Sequence, residues 1–332
     1  MTTATQYGDV SPEVAGYISG QLLERGMPTI VLDRFGQAES LPSNETKVMT
    51  FFRYNALPSG PENTLLQEGV QPAGRKLSRT PVTVTLNQCG DFIGITDVVQ
   101  DTCDDTTIQG SLDVLSQQIS ETSEKIIINE LLSTTSKWFA NGAGLSAVNT
   151  VMGKAHVERA VTGLMRQNAK FITKQVKATV DFGTEAVRPA YIAIIPPELV
   201  PTVRGYVGFK DSADYGSITP YPTEIGAVND VRFLYHTLLV PWAGQGATGG
   251  ASVRQDATSG KADVFPCIIF GDNAFANVAL NGLHNVTPMV RNPKPAPGDE
   301  LGQTGSIGWK FMKASKILND AFLALILTAS PV

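Results

Sequence analysis

The sequence predicts an α+β fold, and three observations carry that prediction. Apolar residues keep helical spacing from Ile108 to Trp138. Val82, Val84 and Leu86 alternate with Thr83, Thr85 and Asn87 in the period of a strand. Short uninterrupted apolar runs, Tyr191 to Ile195 and Val264 to Phe270, stop at Pro196 and Gly271. Helices and strands are mixed without a βαβ order, which separates this class from α/β.

The composition narrows the function. A chain of 332 residues holds two average domains and buries a sizeable core. With 42% hydrophobic and 17% charged residues it is globular rather than disordered. A net charge of −5 argues against a dedicated nucleic-acid binder, which would carry basic patches. Cys89, Cys103 and Cys267 are far apart with no C-x-x-C pair, as expected of reduced thiols in a cytoplasmic compartment. The first residues lack the basic and apolar regions of a signal peptide. The longest apolar run, Ala321 to Leu327, is too short to span a bilayer and reads as a buried strand.

Residues 1–41 read as an arm. Tyr17, Ile18, Leu22 and Leu23 predict a short amphipathic helix ended by Gly26 and Pro28; Thr29 to Leu32 is extended, and Phe35-Gly36 breaks it. The arm has too little apolar material for a core of its own and is expected to dock elsewhere. Lys47 to Tyr54 is a strand, Val82 to Leu86 a second, and Phe92 to Thr96 a third after a turn at Cys89-Gly90-Asp91. Between the first two lies a long segment rich in turn formers, a length that is usually functional or extended. Its charges are segregated, Glu62 and Glu68 before Arg75, Lys76 and Arg79. Two readings stay open for it: a solvated loop, or a projecting flap that pairs with opposite charge on a neighbour.

The stretch Ile108 to Trp138 organises the rest. Ile108, Leu112, Leu115 and Ile119, then Thr122 and Ile126, line one face; Ile127, Ile128, Leu131 and Leu132 widen the stripe. Asp104 to Thr107 supply N-terminal capping types, Glu121 and Lys125 an i,i+4 pair, and Asn141-Gly142 a C-terminal stop. Such a helix runs roughly 45 Å. Its first half has one narrow apolar stripe, so most of its circumference faces water or another subunit, and only its second half is buried on several sides.

Downstream, Gly142 to Met152 is a small-residue connector, and His156 to Ala169 a second amphipathic helix with Val157, Val161, Leu164 and Met165 inward. Phe171 to Phe182 is partly extended, Tyr191 to Ile195 a buried strand, and Glu198 to Tyr206 a short helix with Pro197 near its first turn. Ile225 to Val228 and Val231 to Val240 are strands around Asn229-Asp230. Residues 243–263 form a Gly/Ser/Thr/Ala-rich surface loop, Val264 to Phe270 is a buried strand, and Ala274 to Leu280 a short helix closed by Asn281-Gly282. A Pro-rich turn (Pro293 to Gly298) precedes strands at Gly305 to Ala314 and Phe322 to Leu327.

Catalytic patterns are mostly missing. Gly260-Lys261 lacks the upstream Gly and the following Ser or Thr of a phosphate-binding loop, and Gly244 to Gly250 is a loop without G-x-G-x-x-G. Gly305-Ser306-Ile307-Gly308 falls one residue short of G-x-S-x-G. His156, His236 and His284 are widely separated, and Asp97, Asp101, Asp104 and Asp105 lack the glycine and terminal glutamate of a calcium loop. Trp138, Trp242 and Trp309 are core or interface anchors. Nothing assembles a nucleophile, a base and an oxyanion donor.

The residues Phe52-Arg53-Tyr54-x-x-Leu57, Leu66-x-Glu68-Gly69-Val70-x-Pro72-x-Gly74 and Ile95-Thr96-Asp97 stand in order before the long helix. Glu224-Ile225-Gly226, Val231-Arg232-Phe233, Phe270-Gly271-x-x-Ala274-Phe275 and Gly308-Trp309-Lys310 to Ile317-Leu318-Asn319 follow it. In order and spacing the chain resembles the tailed-bacteriophage major capsid proteins of the Hong Kong 97 fold, and more narrowly the N4-like phage capsid proteins. The resemblance implies an N-terminal arm (1–41), an E-loop hairpin region (42–98), a spine helix with peripheral domain (99–152), an axial domain (153–288) and return strands of the peripheral domain (289–332). It implies self-assembly into hexamers and pentamers of an icosahedral head enclosing double-stranded DNA without sequence preference, in a virion assembled in the host cytoplasm. No catalysis, cofactor, metal or membrane is implied. Portal and scaffolding proteins are implied partners, the scaffold separate because the arm is short, with room left for a decoration protein. Arg53, Glu68, Arg75, Lys76 and Arg79 are the expected inter-subunit contacts; the 243–263 loop and the Asp211 to Tyr221 loop are expected around the hexamer centre. A bacterial compartment shell of the encapsulin type shares this fold, and an α+β hydrolase is the rival from another class.

Overall fold

A computed structural model of the chain describes residues 31–42, 44, 46–66, 68–69, 71, 74–98, 106–172, 189–215, 220–250, 252–280, 287–291, 293–295 and 298–332. The helix expected at Tyr17 to Leu23 lies outside these residues, as do Cys103, His284, the acidic residues Asp101, Asp104 and Asp105, and the side chains of Ile108 and Leu112.

The described residues begin at Val31, with a 3₁₀ turn, Leu32–Arg34, that takes in the last residue of the segment expected to be extended (Thr29 to Leu32), and continue into β1 (Gln37–Leu41). β2 (Val48–Tyr54) and β3 (Arg79–Thr85) pair antiparallel as a ribbon; the long connection between them holds one helical turn, α1 (Pro61–Thr64). β4 (Asn87–Thr96) leads to the long helix α2 (Thr106–Leu132). Then come β5 (Lys137–Phe139), α3 (Lys154–Arg166), β6 (Tyr191–Ile195), α4 (Val200–Arg204), β7 (Lys210–Asp211), β8 (Glu224–Val228) and β9 (Val231–Tyr235). The chain closes with β10 (Phe265–Phe270), β11 (Phe275–Leu280), β12 (Thr287–Arg291), β13 (Thr304–Ile317) and β14 (Leu323–Thr328).

Two larger sheets result. The seven-stranded sheet has the order β5-β14-β10-β6-β9-β8-β7. Its central strands are apolar on both sides because both faces are covered. Tyr191, Ala193 and Ile195 join Val157, Ala160, Val161 and Leu164 of α3 on one face. Ile192 and Ile194 join Ile127, Ile128 and Leu131 of α2 on the other, together with Val31, Leu32 and Phe35. The five-stranded sheet is built on β13, with β4 along one edge and β12 and β11 in succession along the other; β1 adds to β11 in parallel. Leu115 and Ile119 of α2 pack on it against Ile95, Ile307, Trp309 and Phe311. The helix therefore lies under one sheet with its first half and under the other with its second, and the widening stripe falls on the more deeply buried second half.

Several expectations are corrected. The helix stops at Leu132, 27 residues long and thus about 40 Å, short of Trp138 and of Asn141-Gly142. Thr134 and Thr135 past its end bond the Asp320 carboxylate, and Trp138 enters β5, pairing with Ile326. Cys89-Gly90-Asp91 is no turn: β4 runs through it, paired with β13 from Asn87 to Thr96. Gly90 answers a close approach instead, since a Cβ there would sit 2.7 Å from the Trp309 carbonyl oxygen. The run expected as a helix from Ala274 to Leu280 is a strand over Phe275–Leu280. A buried strand between two neighbours has no polar alternation to betray its period, so the short run was ambiguous. β9 ends at Tyr235 rather than Val240, and Met165 points outward while Ala160 takes the inward place. Residues 289–332 divide between the sheets, β13 in one and β14 in the other, while β11 joins β13. The expected boundary at residue 288 thus does not coincide with a change of sheet.

Candidate assembly surfaces and the strap that fixes them

The segment from Val31 to Leu41 is a strap laid across both sheets and the long helix. It supplies partners to two buried charges on those elements. Glu124 projects from the apolar side of α2 and is 1% exposed. Its carboxylate accepts hydrogen bonds from Val31 N at 3.1 Å and Leu32 N at 3.2 Å, and His236 Nε2 lies 3.0 Å away. His236 Nδ1 accepts from Leu238 N at 3.1 Å, which assigns the proton to Nε2 and makes the ring a donor to Glu124. At the next residue, Asp33 forms an ion pair with Lys313 of β13, which is 2% exposed. Lys313 also donates to Ser123 Oγ at 2.6 Å, Ser123 Oγ donates to Asp33 at 3.2 Å, and Asn277 Nδ2 of β11 donates to Asp33 at 3.3 Å. Gly36 follows because the strap presses on β11: a Cβ there would meet the Phe275 ring at 2.7 Å. Phe35 then stacks edge-on against Tyr221, centroids 5.2 Å apart.

Beyond Tyr221 lies another buried pair. Arg232 grips Glu224 with Nε and Nη2, the Nε bond at 2.6 Å, and its guanidinium lies 4.2 Å from the Tyr221 ring centre. Tyr215 OH donates to Glu224 at 2.8 Å; burial, then the adjacent carboxylate, pushes its phenol well above the usual range. At the far end of α2, burial of Asp320 is outweighed by hydrogen bonds from Thr134 and Thr135, which hold its carboxyl below the usual value. Cys267 lies in the core, where burial pushes the thiol up to about 12.

The strap ends where the ribbon begins. Leu41, Val84, Leu86, Val278 and Ala314 form one cluster, with Met49 and Phe51 packed on it. The inward face of the ribbon is thus anchored as far as Phe51. Beyond that point the ribbon leaves the body: Phe52, Tyr54, Leu57, Leu65, Leu66 and Leu77 are all exposed, Leu65 by 80%. Large apolar groups left in water are costly, and these six lie along the ribbon and its loop.

The expected contact residues all fall on this ribbon and its loop, and all are exposed. The structure does not bring them together as one cluster. Arg53 Nη1 donates to Asn319 of its own chain at 2.7 Å, and the Arg79 guanidinium lies 4.0 Å over the Phe52 ring. Glu68, Arg75 and Lys76 sit along the loop itself. Sequence reasoning missed the strap, although it carried a signal. Glu124 stands on the stripe of Ile127, Ile128 and Leu131, and Lys313 continues the inward alternation of Ile307, Trp309 and Phe311.

Among the described residues no group of three or more His, Cys, Asp or Glu is placed to hold a metal ion, and no helix is long and apolar enough to cross a membrane. A groove of about 360 Å³ between α3 and the β8–β9 turn is lined by Lys154, Glu158, Val161, Met165, Asn229 and Asp230 among others, with no histidine, serine or cysteine to start acyl transfer.

No protein-family model and no curated protein matches the sequence. In shape the chain is similar to the capsid of Ralstonia phage GP4, with a TM-score of 0.70 at 14% identity over 99% of this chain and 98% of that one. It is also similar to the capsid structure of cyanophage P-SCSP1u, with a TM-score of 0.61, 12% identity and 96% and 94% of the two chains covered. The head structure of Helicobacter pylori bacteriophage KHP40 gives 0.60, 11%, 99% and 98%. The chain has the α+β fold of phage capsid structures, consistent with the Hong Kong 97 type.

Proposed function

We propose that this chain is the major capsid protein of a tailed phage, a shell-forming subunit with no turnover. The observation that carries this reading is the ribbon: it is anchored at its base and bares a row of apolar side chains beyond Phe51. Covering six such side chains on a neighbour contributes on the order of 10 kcal/mol before ordering costs are subtracted. Each contact is modest, yet identical contacts add along a closed lattice. The whole-length likeness to phage capsid structures supports the same reading.

In this reading copies associate as hexamers and pentamers of an icosahedral head in the virion, built in the host cytoplasm. Glu68, Arg75 and Lys76 pair with neighbouring copies, and a portal and a separate scaffolding protein take part. The net charge of −5 suits a wall that lets packaged DNA slide rather than holding it. The narrower likeness to N4-like phage capsid proteins rests on the sequence motifs alone.

Negative-stain microscopy of the chain, expressed alone and with candidate scaffolding proteins from its own genome neighbourhood, tests the proposal. Closed shells or their hexameric and pentameric parts are expected. A chain that stays a small compact oligomer under every such condition overturns it.

A further inference from the structure

Near the end of β2, Arg53 carries a hydrogen bond from the ribbon to the body. Met49 and Phe51 on the inward face pack into the cluster of Leu41, Val84 and Ala314, and Arg53 is the next residue on that face. It donates through Nη1 to Asn319 Oδ1 at 2.7 Å, while its strand neighbours Phe52 and Tyr54 are exposed. A ribbon held by two strands at its base has one soft degree of freedom, its swing about that base, and Arg53 sits where a contact best restrains it.

Its partner is not an ordinary surface residue. Asn319 Oδ1 also accepts from Ala321 N at 3.3 Å and so caps the 3₁₀ turn Asp320–Phe322. The first residue of that turn, Asp320, accepts from Thr134 Oγ1 at 2.5 Å and from Thr135 N at 3.2 Å, just past the last turn of α2. Glu130 of α2 meanwhile pairs with Lys316 at 2.8 Å and accepts from Ile317 N. The corner from Lys316 to Phe322 is thereby tied to the helix end by both its flanks. It is also the crossover from β13 in one sheet to β14 in the other.

We infer that Arg53 is an intrachain latch that references the angle of the ribbon to the C-terminal end of α2. The ribbon then reaches a partner already oriented, which lowers the ordering cost of association. The latch depends only on the single chain, so it stands or fails independently of the shell proposal.

The experiment uses the monomer fraction from a sizing column. Spin labels are placed at Ser59→Cys on the ribbon loop and Asn129→Cys on the exposed side of α2, in a background with Cys89 and Cys103 replaced by serine. Electron–electron resonance then reads the tip-to-helix distance. A narrow distribution is expected in the parent. Arg53→Ala should raise the swung-out population about five-fold, the size of one exposed charge-assisted hydrogen bond. Asn319→Asp keeps the acceptor and the cap and gains charge attraction, so it should stay as narrow as the parent. Combining Arg53→Ala with Asn319→Asp should look like Arg53→Ala alone. An unchanged distribution in Arg53→Ala overturns the latch; so does a broadening in Asn319→Asp equal to that in Arg53→Ala.

Discussion

Breaking the strap ion pair from one side should cost far more than removing it whole. Lys313 and Asp33 are 2% and 8% exposed at their side chains, so neither charge recovers its water when the other is lost. Truncating one partner of a buried pair typically costs about 3–5 kcal/mol. The local partners decide where each variant falls. After Lys313→Met, Asp33 keeps Ser123 and Asn277 as donors, which places the loss near the lower end, about 3 kcal/mol. After Asp33→Leu, the Lys313 ammonium keeps only Ser123 among its mapped partners, which places the loss near the upper end, about 5 kcal/mol. The double variant Asp33→Leu/Lys313→Met leaves no uncompensated charge, and the net change should fall within about 2 kcal/mol of the parent. Independent sites would sum to about 8 kcal/mol, so the cycle predicts a coupling of roughly 6 kcal/mol or more. Urea unfolding of the unassembled chain, followed by tryptophan fluorescence, measures it. Single variants within 1 kcal/mol of the parent, or a double variant equal to their sum, would refute the reasoning that the strap matches a buried charge.

The remaining predictions test other parts of the same frame. Glu124→Gln turns an acceptor of three donors into a group with a donor of its own, so it should cost about 1–3 kcal/mol and speed hydrogen exchange at the Val31 and Leu32 amides. Gly90→Ala places a methyl against the Trp309 carbonyl and should lower thermal stability by an amount near 1–3 kcal/mol, while an exposed control, Lys310→Ala on the facing strand, stays within about 0.5 kcal/mol. Asp320 has a depressed folded-state pKa, so its contribution is present above the ordinary carboxylate value of 3.8 and is lost as pH falls through the lower folded value. The stability gap between parent and Asp320→Asn should therefore be flat near neutral pH and close in acid; a gap that widens in acid contradicts the assignment. On the shell reading, Glu68→Arg or Arg75→Glu should lower particle yield while leaving the unfolding midpoint unchanged, and normal yield from both counts against their role between copies.

What was readable from the residues alone, and what was not, follows from where each signal lives. The long helix announced itself because its stripe repeats over many turns, and the deeper burial of its second half showed in the widening at Ile126 to Leu132. Tyr191 to Ile195 was clear because flanking prolines bound a run too short for a helix. Phe275 to Leu280 was not, since a strand buried on both faces loses the alternation that distinguishes it from a helical turn. The same limit hid the turn-like Cys89-Gly90-Asp91: its glycine answers to Trp309 on a strand more than two hundred residues away, a contact no local pattern records. The strap was the largest omission, and it is different in kind. Local propensity says little about Val31 to Gly36, yet Glu124 and Lys313 each break an apolar face at a position the period assigns to the interior. A charge placed inward by periodicity demands a partner, because an unpaired buried charge is too costly to keep. Reading those two anomalies together would have required a missing segment carrying paired backbone donors and a carboxylate. Val31, Leu32 and Asp33 are such a segment, so the interior can show through the sequence at the residues that violate its pattern.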